Sequence, residues 1–135
     1  MASFQAKEWL KSAYSDLRSI HYIINDAFLT HMVAFHAQQA IEKALKAVLE
    51  NEENRIPKVH KLQNLISRVS IDIEFDESII EILDELYIES RYPGDFGLLP
   101  QGKPSLENAN SFYSSAQSIF DEVCHILDVT VDELL

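Results

Sequence analysis

Apolar residues recur every three or four positions along the segment AFHAQQAIEKALKAVL, residues 34–49, and this spacing leaves the chain few possible folds. At about 100° per residue, the spacing gathers the apolar side chains on one side of a helix. The opposite side carries His36, Gln39, Lys43, Lys46 and Glu50. Because such a helix must bury its apolar side, the segment predicts a bundle of packed helices. The apolar residues are Ala34, Ala37, Ile41, Ala44, Leu45 and Val48.

Similar spacing in other segments predicts four long helices and one short one. Thr30 suits the N-cap of the second helix, and Asp76 and Ser105 precede two later ones. Thr130 and Glu133 have capping-box spacing, which predicts a last short helical turn. In chain order, the predicted helices cover residues 4–26, 31–52 and 60–69, and two more follow Asp76 and Ser105.

The other segments are predicted to connect these helices. IDIEF, residues 71–75, alternates like a strand, but it has no partner strand and is therefore predicted as an extended connector. RYPGDFGLLPQGKPS, residues 91–105, holds all three glycines and three of the four prolines, which predicts one long loop. The fold class that follows is all-α: an antiparallel up-and-down four-helix bundle with one additional short helix, forming a single domain over residues 1–135.

Charge and composition exclude several classes of protein. The chain has 22 acidic and 11 basic residues, and its net charge of −11 disfavours a surface that binds nucleic acid phosphates all over. A polyanion would need a local basic pocket. Cys124 is the only cysteine and is predicted to be a small buried apolar residue. No segment has the run of about 20 apolar residues that a membrane span requires, so we expect a cytoplasmic protein.

Motifs for common catalytic and metal sites do not occur in the sequence. There is no glycine-rich phosphate loop, no His-Glu-x-x-His and no nucleophile elbow. His31 and His36 are five residues apart, which does not place both rings on one helical face. We therefore predict no catalytic residue, no metal site and no cofactor. The acidic residues of the fourth helix, Glu81, Asp84, Glu85 and Glu89, are predicted to face outward.

Two segments are candidates for ligand binding. The polar side of the second helix is either an ordinary solvated surface or a surface for a ligand or partner, and the sequence leaves both open. After the fourth helix, Arg91, Tyr92 and nearby glycines offer a guanidinium, an aromatic ring and free backbone N–H groups, which suit phosphate and base recognition. The candidate ligand-binding residues are His36, Gln39, Lys43, Lys46, Arg91 and Tyr92.

Three blocks of sequence together resemble the HEPN domain family of prokaryotic proteins. They are FHAQQAIEKALKAVL, KVHKL and LYIESRYPGDF, and the likeness extends over residues of about 5 to 128. The resemblance implies a bundle of four long helices plus a short one, usually as a homodimer. It also implies a gene often placed beside a minimal nucleotidyltransferase in a toxin–antitoxin pair.

Several branches of that family are metal-independent ribonucleases, and the sequence departs from their signature. The signature is an Arg, four to six residues and then a His, with a Tyr two further on in chains that the nucleotidyltransferase modifies. Counted from Arg91, the His positions hold Phe96, Gly97 and Leu98, none of which transfers protons. Arg55 and His60 have the right spacing, but they lie before the third helix, so we interpret that match as accidental.

The sequence thus favours a non-catalytic HEPN-type subunit that binds a nucleotide or substrate and acts with a separate nucleotidyltransferase. One alternative is a ribonuclease that uses Arg91 with His36 or His60 as an unusual proton carrier, and RNA is a partner only in that case. Another is a structural adaptor that binds protein alone. Whether the polar side of the second helix faces Arg91 is left open by the sequence.

Overall fold

The computed structural model describes residues 2–52, 55–89 and 103–135, and within these ranges the chain is helical with no strand. Four helices are long and one is short, which confirms the predicted all-α bundle. Residues 71–75 belong to no helix or strand, as expected for a connector. The helices are α1 (Phe4–Ile23), α2 (Thr30–Asn51), α3 (Leu62–Ile66), α4 (Glu77–Glu89) and α5 (Leu106–Leu127), with single 3₁₀ turns at Ala27–Leu29 and Val131–Leu134.

Side-chain caps define several helix ends. The Ser105 hydroxyl accepts a hydrogen bond from the Asn108 N–H at 3.0 Å, and the Asp76 carboxylate accepts from the Ser78 N–H at 3.0 Å. Thr130 and Glu133 form the expected capping box. These three predictions are confirmed, because each side chain satisfies an N–H group that the first turn of a helix leaves without a backbone partner.

Two predicted features between α1 and α2 are wrong. The first helix ends at Ile23 rather than residue 26, because the Asp26 carboxylate accepts from the Phe28 N–H at 2.9 Å and starts a separate turn. Thr30 is the first residue of α2 and not its cap. Its hydroxyl is buried and has no hydrogen-bond partner among the described residues.

α2 is the central helix, and α1, α3, α4 and α5 all contact it. Fourteen of its residues are buried, including all six residues of the predicted apolar side. Alanines at three of those six positions let neighbouring helices approach closely. α1 runs antiparallel to α2, since Ser3 contacts Asn51 near one end and Asp16 contacts His36 near the other. With neighbours on several sides, α2 also has part of its polar side enclosed.

The acidic side of α4 is only partly solvated. Glu81 and Glu85 are exposed as predicted, but Asp84 is only 4% exposed. Its carboxylate accepts from the backbone N–H groups of Leu62 at 2.7 Å and Gln63 at 3.3 Å. Lys61 provides no side-chain cap, so α4 supplies the cap that α3 lacks. The outward placement of Asp84 was therefore wrong.

None of the helices in the described ranges is both long enough and apolar enough to cross a membrane.

Candidate functional site

The Asp16 carboxylate of α1 binds two residues on the polar side of α2. Its Oδ2 lies 2.8 Å from Lys43 Nζ, and its Oδ1 lies 2.8 Å from His36 Nδ1. The side chains of His36 and Lys43 keep 22% and 21% of their accessible surface, so they are neither solvated nor fully enclosed. This part of α2 is a half-buried ionic contact with α1.

A second carboxylate, that of Glu42 on α2, makes the same kind of contact with a lysine and a histidine. Glu42 Oε2 lies 3.1 Å from Lys46 Nζ and 3.3 Å from His60 Nδ1. Both side chains of the Glu42–Lys46 pair are buried, and the Lys46 ammonium lies 5.4 Å from the centre of the Trp9 ring. The interpretation of the polar side of α2 as an ordinary solvated surface is therefore wrong at Lys46, because Glu42 and Trp9 enclose this residue.

Two glutamines extend the contacts around Glu42. The Gln39 side-chain N–H donates to Gln38 Oε1 at 2.8 Å, and the Gln38 side-chain N–H donates to the His60 carbonyl at 2.8 Å. Gln38 is fully buried and also lies within 3.4 Å of Glu42 Oε1. We call the whole set the α2 polar cluster: Asp16, His36, Gln38, Gln39, Glu42, Lys43, Lys46 and His60.

Aromatic rings connect the two ends of this cluster. The Phe35 ring stacks on Tyr87 of α4 with centroids 6.3 Å apart, and its edge meets the His36 ring at 5.4 Å. Tyr87 also contacts the His60 ring at 5.6 Å. The cluster therefore extends from α1 across α2 to the last turns of α4.

The charges within the cluster balance. Asp16 and Glu42 bring two negative charges, and Lys43 and Lys46 bring two positive ones, so the net charge is zero when both histidines are neutral. The lysines consequently offer little unbalanced positive charge to an anion. Each carboxylate forms a hydrogen bond with Nδ1 of its histidine. Nε2 is therefore the ring nitrogen that can form a further hydrogen bond.

The structure brings four of the six predicted ligand-binding residues into this cluster: His36, Gln39, Lys43 and Lys46. Arg91 and Tyr92 lie outside the described residues. Sequence reasoning missed Asp16, which accepts from two of the four. A signal was available, because Asp16 follows Ala13 by three residues and precedes Ile20 by four, a spacing that places it on the apolar side of α1.

Other candidates for chemistry are weak in the described part of the chain. No group of three or more His, Cys, Asp or Glu residues there could hold a metal ion. Cys124 is buried, and burial raises the pKa of its thiol to about 11. At neutral pH the thiol is therefore protonated and a poor nucleophile, which agrees with its predicted role as a buried apolar residue.

Comparison with known proteins gives a family and a related fold. Residues 6–127 match the HEPN domain family. No curated protein matches the chain significantly. Among solved structures, the chain is similar to the crystal structure of TT1696 from Thermus thermophilus, with 26% sequence identity and a TM-score of 0.69. That alignment covers 98% of this chain and 100% of the other, so the similarity extends over the whole bundle.

Proposed function

This chain belongs to the HEPN domain family, and from that premise we propose that it is a non-catalytic subunit that binds a nucleotide or nucleotide-bearing substrate. It acts with a separate nucleotidyltransferase in the cytoplasm, as a homodimer, in a pairing of the toxin–antitoxin type. The observation that carries the proposal is the half-exposed pair of His36 and Lys43, held on one carboxylate beside the ring of Phe35.

The sequence after α4 supports a non-catalytic role. A HEPN ribonuclease needs a proton-transferring side chain separated from its arginine by four to six intervening residues, and Phe96, Gly97 and Leu98 stand at those positions after Arg91. An arginine can stabilise the negative charge of a phosphate in transition, but it remains protonated and cannot transfer the proton. The chain thus keeps the arginine and lacks its catalytic partner.

The α2 polar cluster supports ligand binding through fixed donors rather than through net charge. Asp16 holds His36 and Lys43 at 2.8 Å each, so a ligand need not order their side chains. Phe35 supplies an aromatic ring beside His36, and Tyr87 stacks on Phe35. In the sequence, Arg91 follows the end of α4 by two residues and would add the phosphate-binding guanidinium.

A thermal-shift screen with nucleoside mono-, di- and triphosphates tests nucleotide binding. At a ligand concentration of a hundredfold Kd, binding adds about 2.7 kcal/mol to the free energy of unfolding and raises Tm by several degrees. We expect His36→Ala and Arg91→Ala to reduce the shift. Lys11→Ala, at an exposed position on α1, is the matched control and keeps it. A flat result across the panel overturns the nucleotide site and favours an adaptor that binds protein alone.

Pull-down from the native host tests the partner. Tagged wild-type protein should retain a nucleotidyltransferase, and a reading frame for that enzyme should adjoin the gene. Absence of both contradicts the pairing even if nucleotides bind. The two parts of the proposal can therefore fail separately.

One observation favours the ribonuclease as a second candidate. His36 and His60 each have Nδ1 on a carboxylate, at 2.8 Å and 3.3 Å, and the rings of Phe35 and Tyr87 lie between them. A carboxylate on Nδ1 orients a histidine and favours Nε2 as its proton-transferring atom, an arrangement known in enzymes that use histidine as a general base. In this candidate the pair acts as acid and base, and Arg91 supplies the positive charge.

Cleavage assays on single-stranded RNA decide between the two candidates. The ribonuclease requires cleavage by wild-type protein and its loss in both His36→Ala and His60→Ala, with Lys11→Ala unaffected. No cleavage at high protein concentration excludes this candidate and leaves the binding subunit.

A further inference from the structure

The face of α1 opposite Asp16 borders a cleft between α1 and α5 that no step above uses. Its volume is about 310 Å³, close to the lower end of the range for small-molecule sites. We propose that this cleft is a second ligand site, and that it binds a nucleotide unit, either free or as part of single-stranded RNA. The polar and aromatic lining consists of Tyr14, Arg18, His21, Tyr22, Tyr113 and Gln117.

Helical spacing gives the cleft an ordered aromatic wall. Tyr14, Arg18 and Tyr22 are four residues apart on α1 and so form one stripe along the helix. The Arg18 guanidinium lies 5.9 Å from the centre of the Tyr14 ring. That ring packs on its inner side against buried Phe120, with centroids 6.0 Å apart and planes inclined by 29°. The core therefore fixes Tyr14, and Tyr14 in turn positions the guanidinium.

Tyr22 stands at the open end of this stripe. Tyr22 is 75% exposed, so its ring is accessible to a ligand. The His21 ring meets its edge at 5.4 Å. An exposed ring beside a guanidinium is the arrangement on which a nucleobase stacks while its phosphate binds the cation.

This cleft differs from the α2 polar cluster in its charge. None of its lining residues is acidic, although the chain carries 22 acidic residues in all. Asp121 accepts from the Gln117 side chain at 2.9 Å but does not line the cleft. Among the described residues, Arg18 has no carboxylate within ion-pair distance, whereas Lys43 and Lys46 are both paired.

The surroundings of Arg18 keep its charge available. The guanidinium of an arginine is charged at every pH at which a protein is studied, and hydrogen bonding to the Tyr22 and Tyr14 side chains raises the pKa of Arg18 further. An exposed, positioned guanidinium in an acid-free cleft complements a phosphate. The neighbouring rings add recognition of a planar base, and Gln117 and His21 offer hydrogen bonds to its edge. Together these features select a nucleotide unit rather than a simple anion.

Binding of UMP, AMP and a short oligouridylate to the full chain tests the site by calorimetry. We expect Arg18→Gln and Tyr22→Leu each to weaken binding by about tenfold, the scale of one lost stacked base. Both residues are exposed, so an unchanged Tm in each variant shows that folding is intact. Lys11→Ala, at an exposed position on α1 outside both sites, serves as the control and leaves this affinity unchanged. Equal affinity in wild type and Arg18→Gln overturns the proposal.

Calorimetry with these three probes distinguishes a free nucleotide from single-stranded RNA as the ligand. If UMP and AMP bind on their own, the ligand is a free nucleotide. If only the oligouridylate binds, and its affinity falls steeply with salt, the ligand is single-stranded RNA. Absence of binding by all three probes overturns the site. Light scattering provides a further test. If Tyr22→Leu dissociates a dimer, a second copy of the chain covers the cleft, and the proposal is overturned.

Thermal shifts of His36→Ala and Arg18→Gln distinguish a site in this cleft from the proposed site in the α2 polar cluster. A shift lost in His36→Ala and kept in Arg18→Gln supports the α2 polar cluster alone. The reverse pattern supports the cleft alone. A partial loss in each single variant and a full loss in the double variant show two sites.

Discussion

Glu42 and Lys46 form an ion pair of 3.1 Å inside the bundle, where their side chains keep only 5% and 7% of their accessible surface. They are four residues apart on α2, a spacing that usually gives a weak pair on a helix surface. Here Trp9 lies over the ammonium, and His60 and Gln38 lie within reach of the carboxylate. Burial changes the energetics, because neither charge can regain its hydration while the protein is folded.

Removing one partner of this pair should therefore cost far more than removing both. We expect Lys46→Met to lower the free energy of unfolding by about 3–5 kcal/mol, because it leaves the Glu42 charge buried with one cation fewer. The double variant Glu42→Leu with Lys46→Met should recover most of that loss. Urea unfolding of the two single variants and the double variant measures this, and additive losses would contradict it.

The Asp16–Lys43 pair should couple more strongly than an exposed pair. A double-mutant cycle with Asp16→Ala and Lys43→Met should give a coupling energy of about 1–3 kcal/mol, since the carboxylate is largely buried. The Lys7–Glu133 pair is the matched control, with a distance of 3.2 Å and side chains 35% and 39% exposed. Its coupling should be much smaller, because solvent screens both exposed charges. Equal coupling in the two cycles would show that burial is not the cause.

The spacing of apolar residues predicted the helices, because few polar residues interrupt the apolar side of each helix. The six apolar residues of α2 are all buried, and the caps Ser105 and Asp76 lie where local hydrogen bonding requires them. These features depend on residues within one or two turns of each other. The family was also recognisable, since its three blocks keep their order along the chain.

The candidate site was less predictable because its contacts join distant segments. Asp16 is 20 residues from His36 and 27 from Lys43 in sequence, and Asp84 is 22 from Leu62. A charged residue among acidic neighbours, as Asp84 is, has the pattern of a solvated face. Only the packing of α3 against α4 shows that its carboxylate has backbone partners. Sequence likewise gave no indication that Tyr14, Arg18 and Tyr22 border a cleft with α5.

Cys124 should react with thiol reagents only when the bundle opens. Its side chain is buried and its thiol has a pKa of about 11, so at pH 8 well under 1% is thiolate in the folded state. We expect the rate of labelling by a disulfide reagent to rise many-fold in urea and to follow the unfolding transition. Rapid labelling in native buffer would contradict the packing of α5.

Asp84 should make the cap of α3 sensitive to pH. Burial raises the pKa of its carboxyl group, so the folded chain binds this proton more tightly than the unfolded chain does. Its contribution to stability is therefore largest at acid pH and declines as pH rises from about 4 through the raised pKa. Asp84→Asn keeps an acceptor oxygen and should remove this decline.

The test compares Asp84→Asn and Asp84→Ala with wild type by urea unfolding at several pH values. Asp84→Ala should lose about 1 kcal/mol because the Leu62 and Gln63 N–H groups lose their acceptor, whereas Asp84→Asn should lose less. Glu85→Gln, next to it on the exposed side of α4, controls for the change in net charge. Asp76 and Glu133 have lowered pKa values and act in the opposite direction, so the difference between variant and wild type is the quantity to follow. A difference that does not change with pH would show that Asp84 is not desolvated by α3.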